Sequence, residues 1–288
     1  MTAGHSDDVR TDSLHVRRLA TTDEQALRHL CRLDSVANCF AHSRIDASLR
    51  PNAPTYFLGS FAADGELRGA VYIGANLVPV GTDNDDRRAI AAALDALTAR
   101  AASLTGPRDA VLGLWSLLES RWGVAREVRE DQPVLVIDQQ PSVAPLTQLR
   151  PVMPHEIEDF LPACVAMFTE EVGVSPLANG MAAAYHARVS ETIRAGRALA
   201  FMQDGVVVFK AEIGSVADGV CQIQGVWVHP DWRGRGVATA GMAAVVQHAR
   251  EKFAPVVSLY VNHYNEAARK AYSRVGFRQH TTFATIHR

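Results

Sequence analysis

No apolar run in the sequence approaches the ~20 residues that a membrane-spanning helix needs. Cysteine is scarce: Cys31, Cys39, Cys164 and Cys221 are scattered, with no CxxC pair and no histidine at metal-ligand spacing. They read as small buried hydrophobes of a reducing compartment, and no metal site is expected. An excess of either charge is lacking too. The 29 Lys and Arg against 31 Asp and Glu leave a net charge of −2, which gives no bulk electrostatic reason to bind nucleic acid or an anionic membrane. The segment MTAGHSDDVRTDS is polar and acidic, without the cationic start and apolar stretch of a signal peptide. These absences predict a cytoplasmic protein with neither a membrane nor a nucleic-acid partner.

Two phosphate-binding motifs are also missing. GxxxxGK[ST] occurs nowhere. A dinucleotide fingerprint, GxGxxG directly after a strand, fails because Thr239 stands at the third glycine and HPDW separates Val228 from Arg233.

What is present is enough for two domains: 288 residues, 48% of them hydrophobic. The polar, proline-bearing stretch DQQPSVAP, Asp138 to Pro145, marks a seam. Beyond it, apolar spacings of three and four predict a helix from His155 to Glu171 and another from about Gly180 to Ala195. Asp204-Gly205 joins two β-rich runs as a hairpin, and a further strand follows Asp218-Gly219. A helix is expected over about Val237 to Phe253, then the strand VVSLYV, then a short helix capped by Asn265 and ended by Gly276. The first half repeats this order weakly, with a capping-box spacing at Thr21 and Glu24, a helix around Leu33 to His42, and a helix in RRAIAAALDALTARAA. Trp115 and Trp122 are expected in its core.

The stretch VWVHPDWRGRGVATAGM, Val226 to Met242, sets two glycines and two arginines between a strand and a helix. A helix N-terminus exposes unpaired amides with partial positive charge, and glycines clear side chains away from them. Arginines add charge-assisted donors suited to phosphate oxygens. Arg233 to Thr239 therefore fits an anion, most simply a pyrophosphate. A glycine-rich turn with solvated arginines would have the same composition.

The pattern R-x-x-G-x-A, Arg233 to Ala238, follows the strand Val226-Trp227-Val228 and His229-Pro230. A second block, VNHYNEAARKAYSRVGF, lies downstream. On these two blocks residues 147–288 resemble a GNAT-superfamily N-acetyltransferase. The first half, residues 1–140, is similar in element order to a GNAT-like domain fused ahead of some bacterial GNAT domains. The resemblance implies an α/β (α+β) fold of two tandem GNAT-like domains, each a mixed, mostly antiparallel sheet flanked by helices, the first degenerate and the second catalytic.

It also implies roles. Backbone amides of Gly234, Arg235, Gly236, Val237, Ala238 and Thr239, with Arg233 at the motif's first position, would hold the pyrophosphate of acetyl-CoA. Val226, Trp227 and Val228 would offer backbone groups to the pantetheine arm, and Asn265 would contact the same arm. Tyr272 stands at the general-acid position. The family often has a carboxylate before the turn; here Gln222 and Gln224 stand there and cannot act as bases. Glu212 is ranked first as proton acceptor, ahead of His263 or Tyr260 acting through water. Glu170 and Glu171 would line the acceptor groove and favour a cationic substrate. The implied activity is acetyl-CoA-dependent acetylation of a primary amine, on a small molecule or a peptide or protein, by direct attack, in a monomer or homodimer. The alternative is a non-catalytic acyl-CoA-binding sensor or scaffold. In the first half, GTDNDD occupies the turn, and Asp83, Asp85 and Asp86 would repel a pyrophosphate, so no CoA is expected there.

Overall fold

The computed structural model describes residues 14–95 and 101–288. The polar segment 1–13 and the stretch 96–100 of the helix expected in RRAIAAALDALTARAA lie outside the described residues.

In chain order the elements are β1 (His15–Arg18), α1 (Glu24–Arg32), α2 (Cys39–Ser43), α3 (Ile45–Ser48), β2 (Tyr56–Phe61), β3 (Leu67–Ile73), β4 (Asn76–Val80), α4 (Asn84–Asp95), β5 (Ser103–Pro107), α5 (Arg108–Trp122) and β6 (Glu127–Ile137). There follow β7 (Arg150–Pro151), α6 (Ile157–Val172), α7 (Ala182–Arg194), β8 (Ala198–Gln203), β9 (Val206–Ala217), β10 (Val220–Val228), α8 (Val237–Lys252), β11 (Val256–Tyr260), α9 (Glu266–Val275) and β12 (Arg278–His287).

The chain divides into two compact units. Unit 1 holds the chain up to Leu33, Arg44–Glu130 and Ala284–Arg288; unit 2 holds Asp34–Ser43 and Asp131–Phe283. Each repeats one topology. In unit 1 the strand order is β1-β2-β3-β4-β5, antiparallel except for the parallel pair β4–β5, which α4 connects. In unit 2 the order β7-β8-β9-β10-β11 has the same directions, and α8 connects the parallel pair β10–β11. A parallel pair needs a long crossover, which is why a helix sits at that point in both.

Local chemistry explains the turns. Asp204 and Gly205 have φ of 52° and 77°, Asp218 and Gly219 of 49° and 74°. Two left-handed residues in succession match strand twist, and Asp-Gly supplies them cheaply. Helix α8 buries Met242, Val245, Val246 and Ala249 against β9 and β11 residues such as Phe209 and Val257. Its Gly241 lies so close that a Cβ there would stand 2.8 Å from the Phe209 ring. In unit 1, Trp115 and Trp122 of α5 are core residues beside Leu104 and Leu114.

Two local expectations change. The box at the first helix is formed not by Thr21 and Glu24 but by Asp23, whose carboxylate accepts the Ala20 amide (2.8 Å) while Arg17 grips it at 2.7 and 2.8 Å. The helix expected over Leu33 to His42 starts only at Cys39, after a run of turns. The chain after Phe277 forms one strand, β12.

The α4 N-terminus is closed by its own carboxylates. Asp83 Oδ1 accepts the amides of Asp85 (2.8 Å) and Asp86 (2.9 Å), and Asp86 Oδ2 accepts the Asp83 amide (2.9 Å). Asp86 is 1% exposed and also accepts the buried Ser60 hydroxyl. Asp86→Ala strands both donors, so unit 1 should lose about 2–3 kcal/mol, read as a lowered urea midpoint. An unchanged midpoint would show that the contacts are dispensable.

Candidate functional site

Strand β10 is paired with β9 along its length, from Val220 opposite Ala217 to Val228 opposite Phe209. With β11 it pairs only over Val220 to Gln222. Beyond Gln222 the β11 side of β10 has no strand partner among the described residues. The departure coincides with a bulge. Gln224 stands opposite Glu212 and Trp227 opposite Lys210, so three steps on β10 match two on β9. The added residue tightens the local twist, and Gly225, at φ 59°, takes the left-handed backbone.

A short turn over Pro230–Trp232 then leads into α8. Arg233 Nε donates to the Val228 carbonyl at 3.0 Å, tying the turn to the strand end. Gly234 and Gly236 have φ of 75° and 80°, and a Cβ on either would meet nothing within 4 Å. Gly236 is the N-cap of α8 and supplies no side-chain cap, and the amides of Val237, Ala238 and Thr239 find no acceptor among the described residues. The contrast with α4, filled by Asp83, and with α9, whose Asn265 Oδ1 accepts the Ala268 amide at 3.1 Å, is direct. These exposed amides, in open space at the positive end of a sixteen-residue helix, suit an anion. The Arg235 guanidinium lies over the Trp232 ring at 5.5 Å, beside the turn.

Tyr272 on α9 is buried, its ring 5.9 Å from that of Phe277. Burial pushes its phenol well above the ordinary value, and the negative charge of Glu171 pushes the same way. Glu170 does not stand open to a substrate. Its carboxylate binds Arg233 Nη2 at 2.8 and 3.1 Å and accepts Trp227 Nε1 at 3.1 Å. Arg233 is correspondingly engaged by Glu170 and Val228. Glu170, expected to favour a cationic acceptor, and Arg233, expected at the pyrophosphate turn, are here engaged with each other and hold α6, β10 and the turn together.

Glu212 also departs from expectation. It is 2% exposed, with Oε1 2.8 Å from Lys210 Nζ and Oε2 3.8 Å from Arg188. Gln224 Nε2 donates to Oε2 at 3.3 Å. Burial opposes the charges on both members, but their mutual attraction prevails, holding the Glu212 carboxyl below its ordinary range and the Lys210 ammonium above its own. A carboxylate stabilised in this way is a weak base, which removes the physical case for Glu212 as proton acceptor. His263, the next candidate, has Nδ1 3.1 Å from the Asp131 carboxylate, and Tyr260 packs on Phe283 at 5.6 Å.

Residues 170–277 match the model of the acetyltransferase (GNAT) family. That segment of the chain is a GNAT-family domain. Residues 56–160 match a domain of unknown function (DUF4081). An uncharacterized N-acetyltransferase of Methanocaldococcus jannaschii is 35% identical over 60 residues, 21% of this chain; the chain spans about a quarter of that relative, 26% of its length. Among solved structures, a GNAT-family acetyltransferase from Colwellia psychrerythraea superposes with a TM-score of 0.58 at 12% identity, over 95% of this chain and 99% of its own. A tandem GNAT protein from the clavulanic acid biosynthesis pathway gives 0.54 at 14% identity, over 96% and 98%. At such identities the likeness is one of fold, and with the repeated topology it makes this a chain of two GNAT-like domains.

The structure holds Val226–Val228, the turn from Gly234 to Thr239, Tyr272 and Glu171 within unit 2. Asn265 is occupied as the cap of α9. Sequence reasoning missed Lys210. Its signal was present: in VVVFKAEIG a cation and an anion two apart on an apolar strand share one face. Nothing local announced the partners of Glu170, which lie 57 and 63 residues away.

Because Glu170 and Arg233 are both about half exposed, Glu170→Ala should cost roughly 1 kcal/mol or less. It should also shift Trp227 emission and reduce the salt dependence of the thermal midpoint. A large loss of stability would contradict this assignment.

Proposed function

We propose that this protein transfers the acetyl group of acetyl-CoA to a primary amine, on a small molecule or a peptide, by direct attack. Residues 147–288 form the catalytic domain and residues 1–140 a degenerate one. The observation that carries this reading is the uncapped α8 turn beside the stretch of β10 that lacks a neighbour.

Acetyl-CoA enters as a substrate consumed in each turnover. Its pyrophosphate suits the amides of Gly236 to Thr239, and its pantetheine amides suit the backbone edge of Val226–Val228 that β11 leaves unpaired, where only the Val228 carbonyl already has a partner in Arg233, as a strand adds to a sheet edge. Unit 1 offers no such place, since Asp83 already occupies the α4 amides. The acceptor nitrogen attacks the thioester carbonyl carbon, the C–N bond forms and the C–S bond breaks. The departing sulfur takes the Tyr272 phenolic proton, and the proton shed by the nitrogen restores the phenol through water. Three cysteines argue for direct transfer rather than an acyl-enzyme. Burial pushes the Cys39 thiol to about 11 and those of Cys164 and Cys221 to about 12, so they are poor nucleophiles. Glu171, an exposed carboxylate at the end of α6, favours an acceptor that arrives with positive charge.

Tyr272→Phe should lower kcat by about a hundredfold, the usual size of a lost general acid, with acetyl-CoA affinity nearly unchanged. Equal turnover would remove Tyr272 from the mechanism. Because the folded phenol titrates above its ordinary ~10, the acid form persists on the alkaline side. Hence kcat/KM should climb with pH as the acceptor amine deprotonates, with no downturn near pH ~10.

Gly236→Val, which strains a left-handed position and crowds the turn, should weaken CoA binding by about tenfold or more in calorimetry. Unchanged affinity would place the nucleotide elsewhere.

A further inference from the structure

Lys210 is fully buried, an expensive position for an ammonium, and the proposed chemistry gives it no task. It lies under α6, with Nζ 5.5 Å from the Phe160 ring, and Cys164 Sγ is 3.9 Å from its partner Glu212. Lys210 and Glu212 are the two residues of β9 that stand opposite the ends of the β10 bulge, Trp227 and Gln224. Two apart on one strand, they point to the same face. Lys210 Nζ donates to Glu212 Oε1 at 2.8 Å and to the Gly225 carbonyl at 2.9 Å. Gln224 closes the other side by donating to Glu212 at 3.3 Å. A Cβ on Gly225 would stand 3.0 Å from Nζ and 3.3 Å from the Glu212 carboxylate. The ammonium therefore grips a carbonyl of the bulge itself.

We infer that Lys210 and Glu212 are positioning residues: the buried pair pins the Gly225 carbonyl, fixes the bulge, and so sets the backbone of Val226–Val228 that receives the pantetheine arm. This rests on the acyl-CoA reading above and deepens it by separating two parts of the donor site. The α8 turn reads the diphosphate without help from the pair, whereas the β10 edge reads the arm only while the pair holds it.

The test uses the full chain and two probes: CoA, and adenosine 3′,5′-bisphosphate, which lacks the pantetheine arm. The double variant Lys210→Met/Glu212→Leu removes both buried charges together and leaves only the half-exposed Arg188 without its carboxylate, so the fold is expected to persist. CoA affinity should fall by about tenfold, the weight of one or two arm hydrogen bonds, while the affinity for the bisphosphate stays within twofold. Gly225→Ala keeps both charges but crowds the pair and strains the bulge directly, so it should give the same split, and it serves should the double variant not fold. Equal loss for both probes, or no loss for CoA, overturns the inference. Failure of the wild-type protein to bind CoA at all would instead overturn the donor-site reading beneath it.

Discussion

The parting of β10 from β11 after Gln222 is the constraint on which the unit 2 site depends. A sheet satisfies its backbone by pairing every strand on both edges, and leaving an edge bare costs hydrogen bonds. Here the edge is bare over the residues that precede the glycine turn. The same stretch stays paired with β9 on both sides of the bulge, so the opening does not loosen the strand. One extra residue, at Gly225, reconciles the two demands: it bends β10 without breaking the β9 ladder.

Around that bend the molecule uses charge sparingly and in closed pairs. Lys210 and Glu212 neutralise each other inside the sheet, and Arg233 and Glu170 tie α6 to the strand end. What is left unpaired is the set of amides at the start of α8. Unit 1 has the same topology but the opposite chemistry at its crossover helix, where Asp83 satisfies the corresponding donors. One architecture thus carries an open anion seat in one copy and a filled one in the other.

Much of this was legible in the sequence where a single residue type settles a backbone angle. The two Asp-Gly turns, the Gly276 exit of α9 and the Asn265 cap are read from local rules because the strain they avoid is local. The glycines of the α8 turn were legible for the same reason. The first helix was misread because two acidic residues, Asp23 and Glu24, competed for one cap, and Arg17 decided between them from outside the helix. Glu212 and Glu170 were misjudged because a carboxylate's role depends on its partners in space. The assignment of Asp34–Ser43 to unit 2 and of Ala284–Arg288 to unit 1 likewise leaves no mark in composition, since it follows from packing alone.

The four cysteines carry a practical consequence. All lie at 0% exposure, out of reach of aqueous reagents in the folded chain. A chromogenic disulfide reagent added to a reaction mixture would therefore colour with the sulfhydryl liberated from the donor and hardly with the protein's own sulfur, so turnover can be followed continuously without masking any side chain.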